Sequence, residues 1–338
     1  MGGDFAPKAT IAGALLALQE LDAAHRVQLV GKHDVVHSEL DSLLAGEFSS
    51  CASVRGRIDL IDAPDVIGMS EKPASAVRRK PKSSMMIGLR LQVDGDSDAF
   101  VSAGSTGAQM AASALLLKLH AGLTRPAIAT VFPTSHQPVI VLDSGANVDC
   151  SVKELLQFAW LGAVYAECVF GRTNPSIGLL SIGEEPEKGN AVVKEANAAF
   201  ARAGFNFHGN VEGRDLLAGE SDRGRIDVVV CDGFVGNVVL KFYEAVGPMI
   251  LRMLGEQPGI DEQEVRAALM PLDAGEYGGA PLLGVRGVSM ICHGNSSPRA
   301  IMNAIKAAVR AVETGMNAQI GERLSVSSGT LAEALPPA

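Results

Sequence analysis

Five times along its length this chain repeats one pattern: a short apolar run, a glycine-rich polar loop, then a helix-like stretch. The pattern is read in "DAFVSAGSTGAQMAASALLL" (98–117) and "PVIVLDSGANVDCSVKELLQFAWLGAVYAE" (138–167). It returns in "SIGLLSIGEEPEKGNAVVKEANAAFARA" (176–203), "FHGNVEGRDLLAG" (207–219) and "IDVVVCDGFVGNVVLKFYEAV" (226–246). Strands alternating with helices predict an α/β fold, a mostly parallel sheet with helices on both faces. In such sheets ligands bind beyond the carboxyl ends of the strands. The loops Gly104–Gly107, Gly145–Asp149, Gly183–Asn190, Asn210–Asp215 and Asp232–Asn237 are therefore expected to approach one cleft.

The chain has 338 residues, 47 % of them hydrophobic and only 4 % aromatic, which suits close-packed helices on apolar parallel strands. We expect a single catalytic domain over 1–330, a protruding helical hairpin at about 238–272, and a frayed tail at 331–338. A net charge of −9 argues against a general nucleic-acid binder. The five cysteines, Cys51, Cys150, Cys168, Cys231 and Cys292, form no C-x-x-C pair, which points to a reduced, cytoplasmic setting. Residues 1–10 lack a signal-peptide core, and no run of about 18 apolar residues predicts a membrane span. Met249, Ile250, Leu251, Met253 and Leu254 crowd the end of one apolar helix, an arrangement suited to a subunit interface or to contact with a membrane surface.

Familiar catalytic signatures are missing. The seven histidines are scattered, with no zinc spacing, so no metal site is expected. "GSTGAQ" is not a dinucleotide fingerprint, "DGFVGN" lacks the G-K-S/T of a nucleotide loop, and there is no G-x-S-x-G elbow. No cofactor is expected. What the loops offer is backbone N–H groups, amides and hydroxyls, which suit an anion cradle and an oxyanion stabiliser. An enzyme with that equipment can let its substrate bring the nucleophile, and inorganic phosphate is one. The stretch "EKPASAVRRKPKSSMMIGLR" (71–90) concentrates positive charge in an acidic protein, as a dock for an acidic partner or an anionic substrate would.

Read together, "MGGDFAP" (1–7), "EKPASAVRRKPKSSM" (71–85), "DSGANVDC" (143–150), "IGEEPEKGN" (182–190), "GNVEGRD" (209–215), "DGFVGNVVLK" (232–241), "YGGAPLLG" (277–284) and "HGNSS" (293–297) resemble the PlsX family of phosphate acyltransferases, in order and over almost the whole length. The resemblance implies a homodimer of isocitrate/isopropylmalate dehydrogenase-like fold, peripherally membrane-associated, that moves a fatty acyl group from acyl carrier protein to phosphate. The acyl phosphate would be handed to a membrane glycerol-3-phosphate acyltransferase for phospholipid synthesis. The resemblance implies Lys188, Asn237, Asp232 and His293 as catalytic. Asp4, Lys72, Gly104, Ser105, Thr106, Gly107, Asn147, Gly183 and Gly236 would bind substrate, and Arg78, Arg79, Lys80 and Lys82 would dock the carrier protein. Two departures stand out. A strand of pattern I-A-x-D-A usually precedes M-G-G-D, and without it Asp4 is expected to be less well held. Ser105 also stands where Asn is common. A phosphotransacetylase-like enzyme using acyl-coenzyme A, or a metal- and NAD-dependent decarboxylating dehydrogenase, are the alternative readings.

Overall fold

The computed structural model describes residues 1–134, 136–255 and 278–334. In chain order the first elements are α1 (Lys8–Glu20), β1 (Val27–Gly31), α2 (His33–Ala45), β2 (Ile58–Asp62), α3 (Pro73–Arg79), α4 (Ser84–Asp94), β3 (Ala99–Ser102) and α5 (Thr106–Leu116). Next come β4 (Ala127–Ile128), β5 (Thr130–Phe132), β6 (Val139–Leu142), α6 (Val152–Phe170), β7 (Ser176–Leu180), α7 (Ala191–Arg202), β8 (Asn206–Val211) and α8 (Gly213–Ala218). A small hairpin, β9 (Glu220–Ser221) and β10 (Gly224–Arg225), leads to β11 (Val228–Val230) and α9 (Gly233–Gly255). The described chain closes with β12 (Ala280–Leu283), β13 (Val288–Ile291), α10 (Pro298–Glu313) and α11 (Met316–Ala334). The chain divides into two compact units, Met1–Lys118 with Tyr277–Glu313, and Leu119–Glu276 with Thr314–Ala338.

In the first unit β1 pairs in parallel with β2, β3 pairs in parallel with β13, and β13 pairs antiparallel with β12. The long return of the chain supplies the partner of β3. Ile11, Leu15 and Leu18 of α1 bury against Leu29, Leu40 and Ile58. Both ends of α4 have a local cause. Ser83 caps α4 by accepting from the Met86 N–H, and Gly95 stops it in the left-handed conformation at φ 82°.

The second unit is built on a five-stranded sheet of order β5-β6-β11-β7-β8. β6, β11, β7 and β8 are parallel neighbours, while β5 runs antiparallel to β6. β6, β7 and β11 are buried along their whole length, as expected of strands covered on both faces. Helix α6 starts at a capping box in which Ser151 and Glu154 satisfy each other's backbone N–H groups, and it ends at Gly171. Because four adjacent strands are parallel, the loops after β6, β11, β7 and β8 all leave the sheet at one edge.

Three sequence expectations meet the structure here. Only the first arm of the predicted hairpin lies in the described residues, and it is longer than read, since α9 begins at Gly233. Gly233–Leu254 is, by length and mean composition alone, long enough and apolar enough to cross a membrane, although Asn237, Lys241 and Glu244 interrupt its apolar residues. At roughly 1.5 Å per residue its length matches a hydrocarbon core. At the other end α11 runs as helix to Ala334, into the stretch read as a frayed tail. Residues 335–338 lie outside the described residues.

Candidate active site

Asp143 ends the apolar run of β6 with no solvent exposure. Its carboxylate accepts from the backbone N–H groups of Ile128 at 3.0 Å, Ala146 at 3.1 Å and Asn147 at 2.6 Å, and from Asn147 Nδ2 at 2.9 Å. Burial pushes this carboxyl above its usual range, against the pull of those hydrogen bonds. Asn147 Nδ2 also donates to the Pro126 carbonyl at 2.8 Å, and the Asn147 carbonyl accepts from Gly233 N–H at 2.7 Å. Two loops far apart in sequence are thereby locked side by side.

Helix α9 starts on that platform. Asp232 Oδ1 accepts from Val235 N–H at 2.8 Å and so caps the first turn. Gly236 N–H is already bonded to the Asp232 carbonyl at 3.0 Å, so this glycine serves close packing rather than donation. A Cβ built on it would lie 1.9 Å from the Asp143 carbonyl oxygen. Asn237, one residue on, is exposed and stands beside Gly145: a Cβ there would be 3.4 Å from Asn237 Oδ1. Asn147 and Asp232 thus hold the helix start, and Asn237 presents an amide at its rim.

The loop after β7 is shaped by neighbours from β8. Asn197 Nδ2 donates to Asn210 Oδ1 at 2.9 Å, and Asn210 Nδ2 donates to the Glu185 carbonyl at 2.8 Å. Lys188 N–H closes the turn on the Glu185 carbonyl at 3.0 Å, and the Lys188 stem packs over Gly183. The Lys188 ammonium is exposed and forms no ion pair among the described residues. Arg214 is spent on Glu184 at 2.8 Å and Glu212 at 3.1 Å. Lys188 is therefore the uncommitted cation of this loop.

The cysteines at this edge are poor nucleophiles. Burial first, and then the negative charge of Asp143, pushes the Cys150 thiol up to about 12. Burial also drives Cys231, which touches the Asp143 carbonyl at 3.6 Å, well above the ordinary thiol range. Neither thiol is therefore suited to act as a nucleophile at neutral pH.

The first unit gathers its own set. Asp4 N–H donates to the Gly294 carbonyl at 2.8 Å, which ties the start of the chain to the loop carrying His293. Ser102 Oγ accepts from Gly104 N–H at 3.0 Å, and Ser105 caps α5 by accepting from Ala108 N–H, so the serine that departs from the family pattern has a capping task. Thr106 and Gly107 form the first turn of α5, and Gly107 lies against Pro73, which follows the α3 cap residue Lys72.

The basic stretch divides. Arg78, Arg79 and Lys82 are exposed. Lys80 is half-buried and engaged in a local ion pair. Its ammonium holds Glu71 at 2.6 Å and the Val66 carbonyl at 2.8 Å, and Glu71 accepts from Gly68 N–H at 2.7 Å. The Lys80 ammonium, helped by that N–H, holds the Glu71 carboxyl below its usual range.

On α9, Phe234, Val238, Phe242, Met249 and Met253 are exposed, and at 100° per residue they fall along one stripe. Ile250, Leu251 and Leu254 are half-buried.

Sequence reading missed Asp143 as the organiser, although it opens "DSGAN". The available signal was an acidic residue closing an otherwise fully apolar strand.

An α/β enzyme fold with its loops gathered at one sheet edge has relatives of known structure. The chain superposes on the EutD phosphotransacetylase from Staphylococcus aureus with TM-score 0.52 at 16 % identity, covering 90 % of this chain and 99 % of that one. A phosphotransacetylase from Streptococcus pyogenes gives TM-score 0.54 at 15 % identity, with 91 % and 99 % covered. A 4-hydroxythreonine-4-phosphate dehydrogenase from Klebsiella pneumoniae gives 0.51 at 14 %, with 90 % and 97 % covered. At such identities the shared property is the fold. The sequence goes further. Residues 1–319 match the family model described as "Fatty acid synthesis protein". A phosphate acyltransferase of Desulforamulus reducens is 46 % identical over 338 residues, with 97 % of each chain covered. One of Heliobacterium modesticaldum is 44 % identical over 334 residues, with 96 % of each covered. The chain belongs to this family, the PlsX phosphate acyltransferases, and is an acyltransferase.

Proposed function

We propose that the protein transfers a fatty acyl group from acyl carrier protein to inorganic phosphate within one catalytic domain over 1–330, on an isocitrate/isopropylmalate dehydrogenase-like architecture. Hydrogen phosphate attacks the thioester carbonyl through an oxygen, a C–O bond forms and the C–S bond breaks. The phosphate proton ends on the departing thiolate, giving acyl phosphate and the free carrier thiol. A thiolate leaves readily, so positioning and oxyanion stabilisation are the main tasks. Lys188 would neutralise the phosphate, and the Asn237 amide would donate to the oxyanion, with Asp232 and Asn147 holding the helix that carries it. In the first unit Asp4, Lys72, the Gly104–Gly107 loop and His293 would bind substrate, as the family resemblance implies, and in the second Gly183 and Gly236 would give the backbone its close approach. The observation that carries this reading is the sheet edge after β6, β11 and β7, which offers amides and one uncommitted ammonium beside suppressed thiols.

The test is thiol release from long-chain acyl carrier protein with and without phosphate, with hydroxylamine trapping the acyl phosphate. Phosphate-dependent release with matching hydroxamate supports the reading, and release without phosphate rejects it. The phosphotransacetylase neighbours favour one second reading, a short-chain acyl-coenzyme A donor, which donor preference separates.

Arg78, Arg79 and Lys82, with Lys80 while it also holds Glu71, would meet the acidic carrier protein. The exposed stripe on α9 would serve a homodimer contact, a membrane surface, or both, with Met249, Ile250, Leu251, Met253 and Leu254 nearest the lipid. A cytoplasmic, peripherally membrane-associated enzyme fits a labile product that a membrane glycerol-3-phosphate acyltransferase consumes. The free thiols of Cys51, Cys168, Cys231 and Cys292, all buried, fit a reducing compartment.

A further inference from the structure

Helix α2 lies on the first unit with Val36, Leu40 and Leu43 buried in its core. That burial fixes the rotation of the helix and leaves His33 and His37 on its solvent side. The two stand one turn apart in "HDVVH" (33–37), a pair that the expectation of no metal site passed over. Residues four apart share a helix face, and here the imidazole centroids are 5.8 Å apart with 32° between the ring planes.

Each ring is held on one side by a carboxylate. His33 Nδ1 lies 3.4 Å from Asp34 Oδ1, and His37 Nδ1 lies 3.1 Å from Asp41 Oδ2. Neither Nε2 has a protein partner among the described residues. A carboxylate on Nδ1 favours the tautomer that leaves the Nε2 lone pair free, and it is the usual outer partner of a metal-bound histidine. Two imidazoles on one tetrahedral ion, with metal–nitrogen distances of about 2.1 Å, have centroids roughly 5 Å apart. Closing from 5.8 Å takes only small side-chain rotations, and both rings are half exposed, with room to make them.

The surrounding charge favours a cation. Asp34 and Asp41 flank the pair, and Asp62 Oδ1 accepts from His33 N–H at 3.1 Å, so a carboxylate already meets the positive end of α2. Lys32 is the one basic residue adjoining them in sequence. Among the described residues no three potential ligands converge, so water has to complete the shell.

We propose that His33 and His37 chelate a divalent transition-metal ion of the imidazole-preferring kind, such as Ni²⁺ or Zn²⁺, through their Nε2 atoms. Asp34 and Asp41 are the outer partners, and water takes the remaining positions. The bound ion staples the first turn of α2. The site lies within one unit and is independent of the acyl-transfer reading.

Calorimetric titration of the full chain with Ni²⁺, repeated with Zn²⁺, tests it. One saturable equivalent is expected, with affinity ~10-fold lower or worse in His37→Ala and about 10-fold lower in Asp41→Asn. A sharper variant moves the imidazole: His37→Ser with Ser38→His keeps all seven histidines but sets the second ring five residues from the first, off the shared face. It is expected to bind as poorly as His37→Ala. Positions 37, 38 and 41 are exposed, so melting temperatures without metal should match that of the natural chain. Saturating Ni²⁺ should raise the melting temperature of the natural chain and not that of the moved-histidine variant. Equal affinity in that variant overturns the proposal, as does the absence of saturable binding of either ion up to millimolar concentration.

Discussion

Gly236 rests its Cα against the backbone carbonyl of Asp143, so close that a Cβ on Gly236 would stand 1.9 Å from that oxygen. The obstacle is backbone, held in place by the buried Asp143 carboxylate and its four donors, and cannot swing away. Gly236→Ala is therefore expected to cost about 1–3 kcal/mol, and to lower activity by tilting the start of α9. Gly247, in the same helix, has nothing within 4 Å of a built Cβ among the described residues. Gly247→Ala is expected to stabilise by roughly 0.5–1 kcal/mol through helix propensity. Melting temperatures of the two variants check the pair: equal shifts would show that the Asp143 contact is not what Gly236 is for.

Buried thiols give the protein an alkaline weakness. Cys292 is 4 % exposed, and burial raises its thiol from 9.0 to about 12. Between those values the unfolded chain releases the thiol proton while the native chain keeps it. The stabilisation is complete below pH ~9 and is lost as pH rises towards ~12, at about 1.4 kcal/mol per pH unit. Cys292→Ala is expected to flatten the fall of the urea midpoint over this window by one proton's worth. An unchanged slope would remove Cys292 from the account.

The divided basic stretch predicts divided phenotypes. Charge reversal at Arg78, Arg79 and Lys82 is expected to slow association with acyl carrier protein and weaken its salt dependence, while turnover of a small acyl thioester survives. Lys80→Glu should instead loosen the Gly68–Glu71 turn and reduce turnover with both donors. Equal losses with both donors for the Arg78/Arg79/Lys82 variant would end the docking assignment.

For α9, Phe242→Gln combined with Met249→Gln and Met253→Gln strips the exposed stripe without touching Leu240, which is buried in the core. The expected outcome is weaker sedimentation with liposomes, with melting temperature unchanged. Sedimentation velocity on the same variant reports whether the proposed homodimer forms. Loss of the dimer with liposome binding intact would assign the stripe to the subunit interface.

The strand–loop–helix grammar was legible because each unit of it is local: β6, β7 and β11 are continuous apolar runs followed by glycine-rich loops. What joins those units was not legible. Asp143 draws a donor from Ile128, fifteen residues earlier, and its carbonyl fixes the choice of Gly at 236, more than ninety residues later. The packing of Gly236 on Asp143 therefore has no local signature. The Lys80–Glu71 pair is likewise hidden, because the two come within reach only once α3 has folded. The pairing of β3 with β13 depends on a return of the chain that no local pattern encodes.

Lys188 and Asn237 carry the sharpest chemical prediction. Both are exposed, and their backbones are set by other groups, Lys188 by the turn onto Glu185 and Asn237 by the Asp232 cap and the Gly236 contact. Truncating either side chain should therefore leave the fold intact while removing a contact made to the reacting groups. Asn237→Ala is expected to lower kcat by ~10²–10³, the usual loss for one oxyanion donor, with little change in the KM for phosphate. Lys188→Ala is expected to raise the KM for phosphate as well, because an ammonium attracts the ground-state anion and the transition state alike. Lys188→Arg keeps the charge but not the point geometry, and partial recovery of KM without kcat is the outcome that separates attraction from positioning. If both alanine variants keep full phosphate-dependent thiol release with unchanged melting temperatures, the sheet edge around Asp143 does not hold the reacting phosphate.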